Sequence, residues 1–374
     1  MKRNISLTVA LFLFFAGMPI SANAGRLCQV ISGANKDRVE YTNLPRCGNG
    51  KREVLATTQF FYGNGSCGDL TISQDTSLEN PGCQYRNITI QAGATLSVVS
   101  GSIIRCNGSF TNNGTINVAP GVIGGQIDGI SSLAIIPAMQ PAHPGNSTGS
   151  AGSGAIVSSA TGTAAGGARS QGNNGSSTGL LVPALIGGGG GGAAYSPGGR
   201  GGGALTILCK GLINNVGTIS AVGRASTGIG SGGGAGGVVT LASQTRVVQT
   251  GTVSVVGGAG GDSTTLLNLG DGSLLAVSAG GGGAGGLIQI FAPALGIVGG
   301  ANLVAGGSAG AVNDSAIGIS NILVGGGAGG SSIMARGGAG GTINWAASHI
   351  IDSSAGAGEA GALLSRTIDP ASIF

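Results

Sequence analysis

Charge and aromatic rings are scarce in this chain: 8% of its 374 residues are Asp, Glu, Lys or Arg, and 3% are Phe, Trp or Tyr. A chain with so little charge and so many β-branched residues is not a charge-expanded disordered polymer. The electrostatic case for nucleic acid is missing too, because phosphate contacts need clustered Lys and Arg. The small basic group Arg26, Lys36, Arg38, Arg46, Lys51 and Arg52 is interspersed with Asp37, Glu40 and Glu53, and reads as solvated surface. No C-x-x-C spacing occurs among the six cysteines, which leaves zinc and thioredoxin-like chemistry without support. No Gly-Lys-Ser or Gly-Lys-Thr occurs, so the glycine runs are not phosphate-binding loops. Collagen is excluded because the glycines come in runs rather than every third residue.

Chemistry-bearing side chains are equally sparse. Between residues 126 and 363 the acids are Asp128, Asp262, Asp271, Asp314, Asp352 and Glu359, at irregular intervals. Glycoside hydrolysis needs a carboxylate pair, and no pair is visible in the spacing. His143 and His349 stand far apart without matching partners. Gly257-Gly258-Ala259-Gly260-Gly261-Asp262 matches the front of a calcium-binding nonapeptide, but Thr264 stands where a large apolar residue belongs, and such sites need consecutive copies. The expectation is therefore a protein that is not an enzyme, with no catalytic, cofactor or metal residue assigned; the alternatives are a mechanical subunit of an extracellular fibre or matrix and a secreted β-helix enzyme acting on polysaccharide.

What is present begins with an export signal. Lys2 and Arg3 precede an apolar run from Leu7 to Phe15, and Ala22-Asn23-Ala24 supplies small residues for cleavage after Ala24. Cleavage leaves 15 basic and 13 acidic residues, and no later apolar run is long enough to span a membrane. The expected location is secreted or outer cell surface. Export makes the cysteines candidates for disulfides. Cys28, Cys47, Cys67, Cys83 and Cys106 lie in the first third, and Cys209, alone, is placed to close a bridge back to them.

The chain then divides by texture into a disulfide-containing segment (25–60), a ladder of short β pieces (61–124), a Ser/Gly/Ala/Pro-rich spacer (125–185), glycine-rich repeats (186–363) and a tail (364–374). The ladder pieces Asp69–Ile72, Asn87–Ile90, Ala94–Val98, Ser102–Ile104 and Gly114–Val118 alternate apolar with polar between turn residues, as half-buried strands do. In the repeats, a glycine run leads into a β piece four times, at Gly202–Ile207, Gly236–Leu241, Gly285–Ile290 and Gly340–Trp345, with starts 34, 49 and 55 residues apart. A second β piece follows, as in Gly217–Val222 and Gly251–Val256, and Ala301–Ala305 fills that place in the third copy.

Repeats that cannot bury an apolar face alone must stack. The fold class this predicts is all-β, a right-handed parallel β-helix with Val, Ile and Leu inward and Thr, Ser, Gln and Asn outward. Two jobs are open to the 80 glycines. They are tight corners where backbone passes backbone, or runs such as 187–192 and 280–283 form packed polyglycine II helices.

Asn107-Gly108-Ser109-Phe110-Thr111-Asn112-Asn113-Gly114-Thr115-Ile116-Asn117-Val118 resembles coils of bacterial right-handed β-helix adhesins of the filamentous-haemagglutinin type. The glycine runs of 186–341 resemble the distal domain of phage tail-tip adhesins. The resemblance implies a surface adhesin or structural protein whose partner is a cell-surface glycan or protein receptor, with self-association as a further mode. Candidate contacts with sugars are Asn112, Asn113, Asn214, Asn215, Tyr62, Tyr195 and Trp345. Asn64, Asn87, Asn107 and Asn146 begin glycosylation sequons.

Overall fold

A computed structural model describes residues 61–78, 82–130, 151–157, 163–168, 187–268, 274–296, 299–313, 322–346, 349–352 and 354–372, with short strands at Arg26–Val30, Val39–Thr42, Lys51–Val54 and Pro137–Met139. The export signal, Cys47, His143, Asn146, Asp271 and Asp314 lie outside the described residues. Residues 1–60 and 61–374 are two units. In the first, Arg26–Val30 is the centre of a three-stranded antiparallel sheet, flanked by Val39–Thr42 and Lys51–Val54.

The second unit is built on a parallel β-helix of six rungs and three six-stranded sheets. The first sheet stacks Leu70–Ile72, Ile88–Ile90, Phe110–Asn112, Ile213–Asn215, Arg246–Gln249 and Ala294–Leu295. The second stacks Thr76–Ser77, Thr95–Val98, Thr115–Val118, Thr218–Ser220, Thr252–Ser254 and Ala301–Leu303. The third stacks Gln84–Tyr85, Ser102–Cys106, Ala204–Cys209, Val238–Ser243, Leu287–Ala292 and Ala362–Thr367. Each rung contributes one strand to each sheet in chain order, so the strands within 204–220 stack directly on those within 102–118.

The alternating pattern does what strand geometry requires. Leu96, Ile116, Ile219 and Val253 point inward from the second sheet, and Ile88, Phe110, Ile213 and Val247 from the first; all are buried in one continuous core. Burying each such side chain contributes roughly 1.5–3 kcal/mol. Cys209 bonds to Cys106 in the adjacent third-sheet strand, bridging a sequence separation of 103, and Cys67 bonds to Cys83.

The outward expectation holds on the third sheet and is corrected on the first. Thr206, Thr240 and Gln289 point away from the solenoid core but are buried, because the third sheet is covered on its outer face. Tyr62 packs there with Leu208, Ala242 and Phe291, while Ile333 and Met334 pack on Ala204, Val238 and Leu287. Asn112 and Asn215 point inward instead of outward. With Gln249 they form a fully buried ladder, in which Asn112 Nδ2 donates to Asn215 Oδ1 (2.7 Å) and Asn215 Nδ2 donates to Gln249 Oε1 (2.6 Å).

From rung three onward, each passage from second to third sheet is an excursion. Rung four goes out along 221–228 and returns along 231–237. Rung five goes out along 255–263, turns through the hairpin Thr264–Asn268/Leu274–Val277, and returns along 278–286. These runs are packed extended helices, which decides between the two roles left open for the glycines. In the run 232–237, the N–H groups of Gly232 and Ala235 donate to Gly192 and Gly189, those of Gly233 and Gly236 to Gly281 and Ala284, and those of Gly234 and Gly237 to Arg224 and Ala221. The carbonyls of the same run accept from Gly199, Gly330 and Gly258. The partner changes with a period of three, the repeat of a polyproline II-type helix, and six neighbouring runs surround this one. Every backbone group of such a buried run needs a partner, and the hexagonal arrangement supplies them between runs.

Close packing, not positive φ, is what selects glycine in the runs. A Cβ on Gly233 would fall on the Gly258 carbonyl, and one on Gly283 on the Gly234 carbonyl, both well inside the 3.0 Å that Cβ atoms do not enter. Gly230 differs: it turns the rung-four excursion back on itself with φ of 71°. Alanine is admitted where three runs leave room, as at Ala235, Ala284 and Ala335, which meet in one small cluster.

The fourth repeat of the sequence is also corrected. Ile343–Ala346 does not enter the third sheet; it pairs antiparallel with His349–Asp352 and with Thr163–Ala164. The strand that completes rung six is Ala362–Thr367. A glycine run followed by alternating apolar residues fits either position, and the longer excursion of rung six postpones the return.

Candidate functional site

The outgoing runs of rungs four and five end side by side, and their tips enclose an open depression of about 430 Å³. Ser226, Thr227, Gly228 and Ile229 form one wall, and Gly260, Gly261, Asp262, Ser263 and Thr264 the other. The runs beneath hold these tips in place. Ser226 N donates to Ala259 O, and Gly230 N donates to Asp262 O at 2.9 Å. Ser231 Oγ donates to the Ser196 carbonyl, and Ser196 Oγ donates to Ile229 O, tying the return run to the first wall.

Several lining groups are already engaged. Ser226 Oγ donates to Gly228 O (2.8 Å) and Thr227 Oγ1 to Pro197 O (3.3 Å). Asp262 Oδ1 accepts the Ala311 N–H (2.7 Å), and Ser263 Oγ accepts the Asn313 N–H (2.8 Å), which fastens the rung-six tip to that of rung five. Asp262 therefore orders a neighbouring tip, the role its short side chain fills, and the residue is exposed. The lining is a set of hydroxyls around one carboxylate, chemistry suited to hydrogen-bonding a neutral polyhydroxylated ligand.

The other residues singled out by the sequence are dispersed. Glu359 Oε2 accepts the Arg336 N–H between two glycine runs. Among the described residues no three His, Cys, Asp or Glu side chains gather as metal ligands. Asp128, Asp352, His349 and Trp345 lie on strands whose side chains are outside the described residues. Tyr62 is fully buried, and burial together with Asp369 raises its phenol well above the ordinary range. Tyr195 packs on the cluster of Ala194, Leu275, Val277, Ile322 and Val324. Tyr62 therefore offers no ring face to a sugar, while Tyr195 is half-buried. Asn113 is exposed and Asn214 half-buried on the outer surface of the first sheet.

The sequon asparagines serve the turns between rungs. Asn107 Nδ2 donates to Asn64 O, Asn87 Nδ2 donates to Asp69, and Asn87 Oδ1 accepts the Ser109 N–H. Beside them Arg86 forms an exposed ion pair with Asp69 at 2.6 Å, and its hydrogen bond holds the carboxyl down to about 2.

Sequence reasoning did not find the depression. Ser226, Thr227 and Thr264 are common residues in a chain of this composition, and only the stacking of rungs 34 and 49 residues long brings them together. No family model matches the chain, and no curated protein or solved structure matches it either. The protein is a glycine-rich parallel β-helix, and among the described residues there are two disulfides and no helix long and apolar enough to cross a membrane.

Proposed function

We propose that the protein is a secreted or cell-surface adhesin that presents the excursion tips of rungs four to six to a cell-surface glycan or protein receptor. The observation that carries this reading is the hexagonal glycine bundle. It spends most of its length fixing three short tips, and the tips themselves are polar and solvent-facing. Binding loops set on a rigid scaffold are a recurrent solution for recognition. The ordering of Asp262, Ser263, Ala311 and Asn313 before any ligand arrives reduces the entropy lost on binding. Two disulfides suit the oxidising compartment that export would provide.

A glycan array and adhesion to intact cells test the proposal. The wild-type chain is expected to bind a restricted set of glycans or a cell type, and Thr227→Lys, placed on the exposed wall, to abolish that binding while leaving the circular dichroism unchanged. Binding that survives both Thr227→Lys and Thr264→Lys would rule the depression out as the contact.

A second reading, a subunit of an extracellular fibre, is favoured by rung six. Its strands form the last edge of all three sheets, with Leu303 45% and Leu363 42% exposed, and open edges template association. Concentration-dependent mass in sedimentation, abolished by Leu303→Lys, is its signature.

A further inference from the structure

The outer face of the second sheet carries a two-dimensional array of hydroxyl and amide groups. Thr95, Thr115, Thr218 and Thr252 stand in register on four consecutive rungs. Two residues along each strand, Ser97, Asn117, Ser220 and Ser254 form a second row in the same register. Between the rows, Leu96, Ile116, Ile219 and Val253 point into the core, so both rows face outward.

Three features separate this face from an ordinary solvated surface. Neither row contains a charged residue, although about a quarter to a third of a soluble surface is usually Lys, Arg, Glu or Asp. Among the described residues none of the eight side chains has a hydrogen-bond partner, and seven of the eight reach solvent, Ser254 alone being buried at 8% exposed. The Thr row is also stiff, because β-branching restricts χ1, so each methyl and hydroxyl is held in a repeated position.

The spacing of the array is set by the fold. Neighbouring strands lie about 4.8 Å apart, and alternate residues on one strand about 6.7 Å apart. A partner that meets many of these groups at once must be a rigid, uncharged lattice with nearly the same two repeats. The prism plane of ice has both. A crystalline polysaccharide surface presents hydroxyls too, and co-sedimentation with microcrystalline cellulose separates it from ice. From this match we infer that the second-sheet face adsorbs to ice through ordered water held by the Thr and Ser/Asn rows. The inference concerns a surface separate from the tip depression and does not depend on the adhesin reading.

The test uses the whole secreted chain. Thermal hysteresis and inhibition of ice recrystallisation are measured against an unrelated protein of equal molarity, with adsorption to a growing ice hemisphere read by fluorescence. The wild type is expected to show all three. Thr218→Lys and Thr115→Lys, in the middle of the array, are expected to lose them while retaining the wild-type circular dichroism and Tm; Lys210→Ala, off this face, retains them. Hysteresis no greater than the unrelated protein, or activity that survives Thr218→Lys, would overturn the inference. So would co-sedimentation with microcrystalline cellulose without adsorption to ice, which would reassign the face to polysaccharide.

Discussion

Asn215 holds the middle of a buried amide ladder, and its replacement separates two energetic effects that ordinary core mutations confuse. Asn112, Asn215 and Gln249 are all 0% exposed. In Asn215→Leu, Gln249 Oε1 loses its donor, and Asn112 Nδ2 keeps only the longer contact to Thr218 O at 3.3 Å. A buried polar group left unsatisfied costs about 1–3 kcal/mol, so two together cost roughly 2–6 kcal/mol. For the unit of residues 61–374, an unfolding entropy of ~2.1 cal/mol/K per residue makes each kcal/mol worth about 1.5 °C, which places the loss at roughly 3–9 °C in Tm. The triple variant Asn112→Leu, Asn215→Leu, Gln249→Leu removes the ladder's side-chain partners together but leaves the Gly114 N–H, which donates to Asn112 Oδ1, without its acceptor. Because replacing paired polar groups by apolar groups of similar shape is nearly neutral, it is expected to recover part of the lost stability. Thermal melts followed by circular dichroism, with urea midpoints alongside, read both variants. A single mutant as stable as wild type, or a triple mutant less stable than the single, would refute the account of the ladder.

Three further outcomes follow from the packing. Gly283→Ala places a Cβ on the Gly234 carbonyl and is expected to cost about 1–3 kcal/mol or more by overpacking; Ala284→Gly, one residue on, costs less, and paired urea titrations compare them. Removing Cys106–Cys209, separation 103, is expected to lower Tm more than removing Cys67–Cys83, separation 16, because loop-closure entropy scales these to about 4.7 and 3 kcal/mol; double Cys→Ser variants of each pair decide the order. The Asp69 carboxyl is depressed to about 2 by its hydrogen bond from Arg86, so its contribution is present above the unfolded carboxylate value and fades as pH falls through about 2. Asp69→Asn should therefore differ from wild type at pH 7 and converge with it at the acid end, as followed by urea midpoints across pH, with a small effect because the pair is exposed.

The solenoid was legible where side-chain alternation reports directly on burial. Thr95–Val98, Thr115–Val118 and Ala204–Cys209 are strands where the pattern places them, and the isolated Cys209 does reach back to the first third of the chain. The strand Ile213–Asn215 was not legible, because one apolar residue followed by two asparagines carries no period. The inward turn of Asn112 and Asn215 is hidden for a related reason. An amide reads as surface until a rung above and a rung below supply its partners, and those rungs are 103 and 34 residues away in the chain. The position of the last third-sheet strand failed on degeneracy: Thr342-Ile343-Asn344-Trp345 and Ala362–Thr367 both follow glycine runs, and only the length of the intervening excursion selects the second.

The glycine bundle also explains how one chain can combine an intolerant interior with permissive tips. Interior runs meet six neighbours, and their conformation is set by backbone hydrogen bonds that no side chain larger than alanine can enter. Changes there propagate, because a central run such as 232–237 donates to three others and accepts from three more. At the tips the constraint ends abruptly: Thr227 and Asp262 are exposed, and their contacts are single hydrogen bonds to neighbouring loops. Substitution at a tip alters what is displayed without altering what displays it. The excursions differ in length while the rungs keep their register, so differences between repeats are taken up in the excursions and not in the strands. Under the adhesin proposal, the tips, and not the solenoid, are therefore where a point substitution is expected to change binding without unfolding the protein.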